Sequence, residues 1–393
     1  MDNIINNTAI IIFMSKKYNF TESFLSGNEQ LYINEVFSSG FFGGNGPFSK
    51  RCEKFIEEEF SIPKVLLTDS CTSALEISAL LLDLQPNDEV ILPSYTFPST
   101  GSAFLRTGAK LIFAEIDPLT LMICSRDVEK KITSNTKAIV AVHYAGSSAN
   151  LNPIIELSNK FNIKLIEDNA QGFGSSDSFD RPLGTIGDFG CISFHETKNI
   201  HCGLGGALYI NSPDINLINQ SVQIWERGTN RQDQIKGLVD KYTWTTLGSS
   251  FYPSELQSAF LFSQLEVYKS NIAHRSLIYN AYISDLQELE INLSFHILRH
   301  DLKKHNHHAL IIIVENENTT DSLISYLRTF DINTFIGYVP LHSSPMGLSL
   351  GYSSNDLPIT ENLSKRVIRL PFHNNLTLDD VSFISNKIKN FYE

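Results

Sequence analysis

From about Phe60 to Asn211 the chain alternates short apolar, β-rich runs with amphipathic helical stretches, and this rhythm limits the possible folds more than any other feature. The strand candidates are Lys64–Thr68, Glu89–Pro93, Lys110–Glu115, Ala138–His143, Lys164–Glu167, Cys191–Phe194 and Gly206–Ile210. Most are continuous apolar runs without period-two alternation, so the strands are expected to be covered on both faces. Helical patterns such as Ser73–Leu82 and Asn152–Phe161 are long enough to serve as crossovers. The repetition predicts an α/β fold: a mostly parallel, seven-stranded sheet with helices on both faces. Ligands of such sheets bind beyond the carboxyl ends of the strands.

Two of those ends carry chemistry. Lys164-Leu-Ile-Glu-Asp168-Asn-Ala-Gln171 closes one strand with a carboxylate, and Ser193-Phe-His-Glu-Thr-Lys198-Asn199 follows another with an amine. Alone, an Asp in such a place is usually a helix cap and a Lys a solvated loop residue. Together they supply what pyridoxal 5'-phosphate requires, an amine for Schiff-base formation and an anion that keeps the pyridine nitrogen protonated. Ser70-Cys71-Thr72-Ser73 lies between the strand ending at Thr68 and a helix, where N–H groups and the helix dipole can bind a phosphate. Taken by itself, that turn is more commonly a plain N-cap.

The segments around Asp168 and Lys198 resemble those of the sugar-nucleotide aminotransferases of DegT/DnrJ/EryC1/StrS type. Further matching stretches are Leu66-Leu-Thr-Asp-Ser-Cys-Thr-Ser-Ala-Leu75, Asp88-Glu-Val-Ile-Leu-Pro-Ser-Tyr-Thr-Phe97 and Val142-His-Tyr-Ala-Gly146. Arg227-Gly-Thr-Asn-Arg231 and Asp240-Lys-Tyr-Thr-Trp244 are similar to the subgroup that forms dTDP-4-amino-4,6-dideoxygalactose. The likeness covers nearly everything from Tyr18 onward. It implies the aspartate-aminotransferase type of fold (fold type I), with a smaller C-terminal α+β domain and a homodimer whose subunits share each active site.

The resemblance also implies residue roles. Lys198 would bind the cofactor covalently and then move protons, Asp168 would pair with the pyridine nitrogen, and Gln171 would bond the phenolic oxygen. Phe97 would stack on one ring face, with Ala170 packed against the other. Cys71, Thr72 and Ser193 would hold the phosphate, and Arg231, Lys241 and His342 would face the substrate. Ser249 and Ser250 would reach the partner's phosphate site. The implied reaction moves an amino group from L-glutamate to carbon 4 of a dTDP-4-keto-6-deoxyhexose, with a galacto product. Such products feed O-antigen, lipopolysaccharide or similar surface polysaccharide. Three positions depart from the family pattern: Leu204 replaces an acidic residue, Asn169 replaces Ala, and an expected Asn is missing near Tyr252.

Composition agrees with this class. The 393 residues suit a large domain (18–270) and a smaller one (271–393), preceded by an extension (1–17). Ser254 to about Leu286 reads as a helical bridge; beyond it come a strand at Ala309–Glu315 and helices at Thr320–Phe330 and Leu378–Asn390. A net charge of −12 argues against general nucleic-acid binding, which needs a basic footprint. Lys and Arg cluster only locally, around Arg227, Arg231, Lys236 and Lys241, as an anionic sugar nucleotide would need, although a solvated loop is an equal reading before the resemblance is counted. Five cysteines without C-x-x-C spacing fit a reducing, cytoplasmic setting and no metal site. Ala9–Met14 is too short to span a membrane, and Met14 is expected to be the native start.

The remaining histidines are weighed more modestly. His195, three residues before Lys198, is more often a structural neighbour than a catalyst, and His305-Asn-His307-His308 reads as a solvated loop. Rival functions are the same chemistry giving the gluco epimer or using another nucleotide sugar, and a pyridoxal-phosphate-dependent sugar dehydratase. In dehydratase relatives a His replaces the lysine, so Lys198 argues against that. A Rossmann oxidoreductase lacks its G-x-G-x-x-G after the first strand, and a non-catalytic binding protein would not need Asp168, Gln171 and Lys198 together.

Overall fold

The computed structural model describes residues 16–148, 151–292, 295–299 and 304–393. The apolar run at residues 9–14 and the expected start at Met14 lie outside them.

Eleven strands form two sheets among these residues. The first contains β1 (Lys64–Thr68), β2 (Glu89–Pro93), β3 (Lys110–Ala114), β4 (Thr136–Val142), β5 (Lys164–Asn169), β6 (Phe189–Ser193) and β7 (Gly206–Ile210), in the order β1-β7-β6-β5-β4-β2-β3. The run from β6 to β3 is parallel, whereas β7 is antiparallel to both its neighbours, β1 and β6. Neighbouring residues on one strand enter cores on opposite sides. Leu66 packs with Leu75 and Phe104, while Val65 and Leu67 pack with Ile56 and Leu265. This double cover is why the strands are continuously apolar.

The second sheet has the order β10-β11-β9-β8, from β8 (Phe295–Ile297), β9 (Ile311–Val314), β10 (Phe335–Ile336) and β11 (Val367–Arg369). Helices Tyr268–Ile291, Glu317–Arg328 and Leu378–Tyr392 cover it through a core that includes Tyr282, Leu323 and Ile384. The expected bridge over 254–286 is two helices, Glu255–Glu266 and Tyr268–Ile291. Val267, at φ −110° and ψ 7°, ends the first, whose start is closed by a capping box of Ser254 and Gln257.

The N-terminal described segment does not sit on the first sheet. Tyr18 donates its N–H to Asp331 O at 2.9 Å and joins the core of the second sheet, and Lys16 pairs with Asp380 at 2.6 Å. Phe24, a few residues on, reaches back through its carbonyl to His201 and Gln264. This stretch therefore ties the two layers together, where the sequence boundary at residue 18 assigns it to the first. No described helix is long and apolar enough to cross a membrane.

Candidate active site

A cavity of about 480 Å³ opens beyond the carboxyl ends of β1, β2, β4, β5 and β6, with residues next to β9, β10 and β11 forming its far wall. At the first of these ends Ser70 caps the helix Cys71–Leu81, its hydroxyl accepting from Ser73 N at 3.1 Å. The N–H groups of Cys71 and Thr72 point from the first turn with no acceptor among the described residues, as helix starts leave them. β7 passes close by at Gly206. A Cβ there would lie 2.5 Å from Cys71 N and 2.5 Å from Ser70 C. Only glycine leaves those donors room for a ligand. Thr72 donates to Ser99 Oγ at 2.8 Å, and the Ser193 hydroxyl accepts from His195 N at 3.3 Å. The result is a cradle of donors suited to a phosphate.

Asp168, on β5, is almost fully buried and lines the same cavity. Thr100 donates to its Oδ2 at 2.7 Å and Ala170 N to its Oδ1 at 3.2 Å. Burial holds its carboxyl above the usual range, while these two donors and the charges of Lys198 and His143 pull it back down. A cationic N–H entering the cavity would complete its shell. Behind it, His143 and Glu167 are fully buried, with Nε2 and Oε2 2.7 Å apart. Glu167 also accepts from Gly184, Ile186 and Gly187 N–H groups, and His143 Nδ1 lies 3.2 Å from Ser147 O. With an acceptor at each ring nitrogen, the geometry favours an imidazolium below the site.

Lys198, five residues past β6, is half-buried in the cavity wall and forms no ion pair among the described residues. Gln171 accepts from Ala145 N at 2.7 Å and donates to the Tyr338 hydroxyl at 2.9 Å. Phe97 is 57% exposed at the mouth, its ring centroid 6.1 Å from that of Tyr338. An aromatic left this open in an apolar-lined cleft is available to cover a flat ligand.

Cys71, Thr72, Phe97, Asp168, Gln171, Ser193 and Lys198 therefore meet in one cavity, together with Ala170, His195 and Leu204. His342, Arg231 and Lys241 do not line it. His342 is fully buried at Ser94, Nδ1 to Oγ 2.7 Å, because its own backbone N–H also bonds that hydroxyl. Arg231 pairs with Glu226 at 3.3 Å, and Lys241, Ser249 and Ser250 are exposed. In this chain's own cleft the expected substrate contact of these three cations is not made.

The stretch 305–308 is not a solvated loop. Asn306 is 1% exposed, and its amide donates to Gln171 O at 2.7 Å and Phe173 O at 3.0 Å. It satisfies carbonyls of the turn that carries Gln171, while His308 Nδ1 contacts Asn199 Oδ1 at 3.1 Å and lines the cavity. Sequence reasoning also missed Thr100, His143, Tyr338 and Arg369, all on the cavity wall. Of these only Arg369 gave a signal, a charge inside the apolar run Val367-Ile-Arg-Leu-Pro-Phe372.

Comparison with known proteins agrees with this geometry. The sequence profile of the DegT/DnrJ/EryC1/StrS aminotransferase family matches residues 25–389. A GDP-perosamine synthase of Vibrio cholerae is 29% identical over 94% of this chain and 98% of its own length. A 3-oxo-glucose-6-phosphate:glutamate aminotransferase of Bacillus subtilis is 29% identical, covering 88% and 76%. The solved structure of Bacillus subtilis NtdA with bound cofactor PMP superposes with a TM-score of 0.83 at 28% identity, covering 93% of this chain and 83% of that one.

Proposed function

The chain belongs to the DegT/DnrJ/EryC1/StrS aminotransferase family and is a sugar aminotransferase; we propose that it transfers the amino group of L-glutamate to carbon 4 of a dTDP-4-keto-6-deoxyhexose, with a galacto product. The observation that carries the chemistry is the meeting of Asp168, Lys198 and the donor cradle at Gly206 in one cavity. Pyridoxal 5'-phosphate fits it: the cradle accepts an anion that a Cβ at position 206 would exclude, and Asp168 lacks a cationic partner.

When bound, the cofactor would supply an aldehyde that takes up the migrating nitrogen and a ring that withdraws electrons from the adjacent C–H bond. The N–H groups of Cys71 and Thr72, with the hydroxyl of Ser193, would hold its phosphate. Asp168, fixed by Thr100 and Ala170, would keep a proton on the ring nitrogen. The Lys198 amine would take the proton from the donor's α-carbon and deliver one to the sugar carbon that receives nitrogen. Gln171 and Tyr338, bonded to each other, would position the ring's other edge. Leu204 at the mouth would present an apolar contact to the sugar.

Glutamate as donor is supported by the name of the Bacillus subtilis aminotransferase, and the galacto product by the stretches Arg227–Arg231 and Asp240–Trp244. A guanosine-linked acceptor is the second reading, favoured by the likeness to GDP-perosamine synthase. The active unit would be a homodimer. Around Ser249 and Ser250 the surface exposes Trp244 (76%), Leu247 and Tyr242 beside Lys241, and such apolar groups are poorly left in water. Placed at a partner's cleft, Arg231 and Lys241 would meet the anionic nucleotide. The test is incubation of the loaded enzyme with glutamate and dTDP- or GDP-linked 4-keto-6-deoxyhexoses, the product being read by NMR. An axial amine at carbon 4 on the dTDP sugar is expected; turnover confined to the GDP sugar, or an equatorial amine, overturns the assignment.

A further inference from the structure

Arg369 closes β11 and carries a charge into an otherwise apolar strand. It is 5% exposed. Its Nε donates to the Tyr144 hydroxyl at 3.1 Å, and its guanidinium lies 4.9 Å from the Tyr144 ring centroid and 4.8 Å from that of Tyr338. No carboxylate forms an ion pair with it among the described residues, and its Nη2 is buried without a hydrogen-bond partner. Arg275, equally buried, behaves differently. Its guanidinium donates to the carbonyls of His307, His308 and Phe372 and to Asn374 Oδ1. One buried guanidinium is thus saturated by the fold, while the other is left with most of its donors unmet.

A buried, unpaired charge is costly and is tolerated where an anion arrives to meet it. The side chain lines the reaction cavity, against the tyrosine whose hydroxyl is bonded to Gln171. Asp168 is the sole carboxylate on the cavity wall among the described residues, and Thr100 and Ala170 already hold it. The missing anion therefore belongs to a ligand. A nucleotide sugar keeps its diphosphate several bonds from the keto carbon, whereas an amino-acid donor has a carboxylate on the carbon that carries the amine. The planar fork of Arg, fixed between two tyrosine faces, matches a carboxylate in two parallel hydrogen bonds.

We propose that the guanidinium of Arg369 is the docking site for a carboxylate of the amino-acid donor, a proposal that rests on the aminotransferase reading. The test uses the cofactor-loaded enzyme and two variants, Arg369→Gln and Arg369→Lys, whose melting temperatures are measured first. Calorimetry with glutarate, a dicarboxylate that has no amine to transfer, gives affinity apart from turnover. Arg369→Gln should weaken glutarate binding roughly tenfold or more, as loss of a charge-assisted pair predicts. The glutamate concentration for half-maximal rate should rise by a similar factor in the donor half-reaction, with the reverse half-reaction from the amino sugar unchanged. Arg369→Lys should recover part of the glutarate affinity, and it carries the test alone if the Gln variant does not fold. Unchanged glutarate affinity in a folded variant overturns the proposal. So does a defect confined to the sugar half-reaction, which would assign Arg369 to an acidic group on the acceptor. A wild-type enzyme that accepts amines from glutamate but acts on no nucleotide sugar would instead sink the acceptor assignment and leave Arg369 standing.

Discussion

Gly206→Ala tests the phosphate cradle more directly than removal of any of its donors. The added Cβ would stand 2.5 Å from Cys71 N, 2.5 Å from Ser70 C and 2.7 Å from Ile192 O, nearly an ångström inside ordinary contact. All three atoms are backbone, so no side chain can swing aside. Gly206 is pinned by its register opposite Thr68 on β1 and Ser193 on β6, and the start of the helix Cys71–Leu81 must yield. Overpacking of this kind costs about 1–3 kcal/mol of stability. A hydrogen bond from N–H to a charged phosphate contributes roughly 1.5–3 kcal/mol, so losing one should weaken cofactor binding by about ten- to a hundredfold. The assay is titration of the cofactor-free variant with pyridoxal 5'-phosphate by equilibrium dialysis, beside its thermal melt. Binding within about threefold of native, together with an unshifted melt, would refute the cradle.

Lys198→Ala should abolish turnover with the fold intact by circular dichroism, since no other amine lines the cavity; appreciable steady-state activity would remove the lysine from its role. Asp168→Asn should slow the proton-transfer step by orders of magnitude while stabilising the cofactor-free protein at neutral pH. The sign follows from burial: a carboxyl held above its unfolded value of 3.8 destabilises the fold once pH rises past the raised value, and an amide escapes that cost. A lower neutral-pH melting temperature for the cofactor-free variant would contradict this account. Glu167→Gln should cost about 3–5 kcal/mol in urea unfolding, because it strands the buried His143; a loss below about 1 kcal/mol would mean that the histidine is neutral. Mixing Lys198→Ala with a Ser249→Trp variant should restore part of the activity through hybrid sites, whereas a fully active monomer by light scattering would end the shared-site proposal.

The sequence alone determined the first sheet and the ends of its strands. β1, β2 and β7 have the bounds read from their apolar runs, because burial on both faces leaves a continuous local pattern. Asp168 and Lys198 were legible for the same reason, as polar groups placed just where such runs stop. What surrounds them was not. Thr100 meets Asp168 from 68 residues away, Tyr338 meets Gln171 from 167, and Arg369 meets Tyr144 from 225. No local period encodes such pairings; they depend on how the second sheet docks over the first. The stretch at 305–308 looked solvated because its residues are polar, yet docking turned Asn306 inward to satisfy carbonyls that would otherwise be buried unpaired. Tertiary structure likewise decided that His342 is a buried partner of Ser94 and that Arg369, hidden in an apolar strand, faces the cavity. A strand's alternation says that its residues point to opposite sides, and only packing says what each side meets.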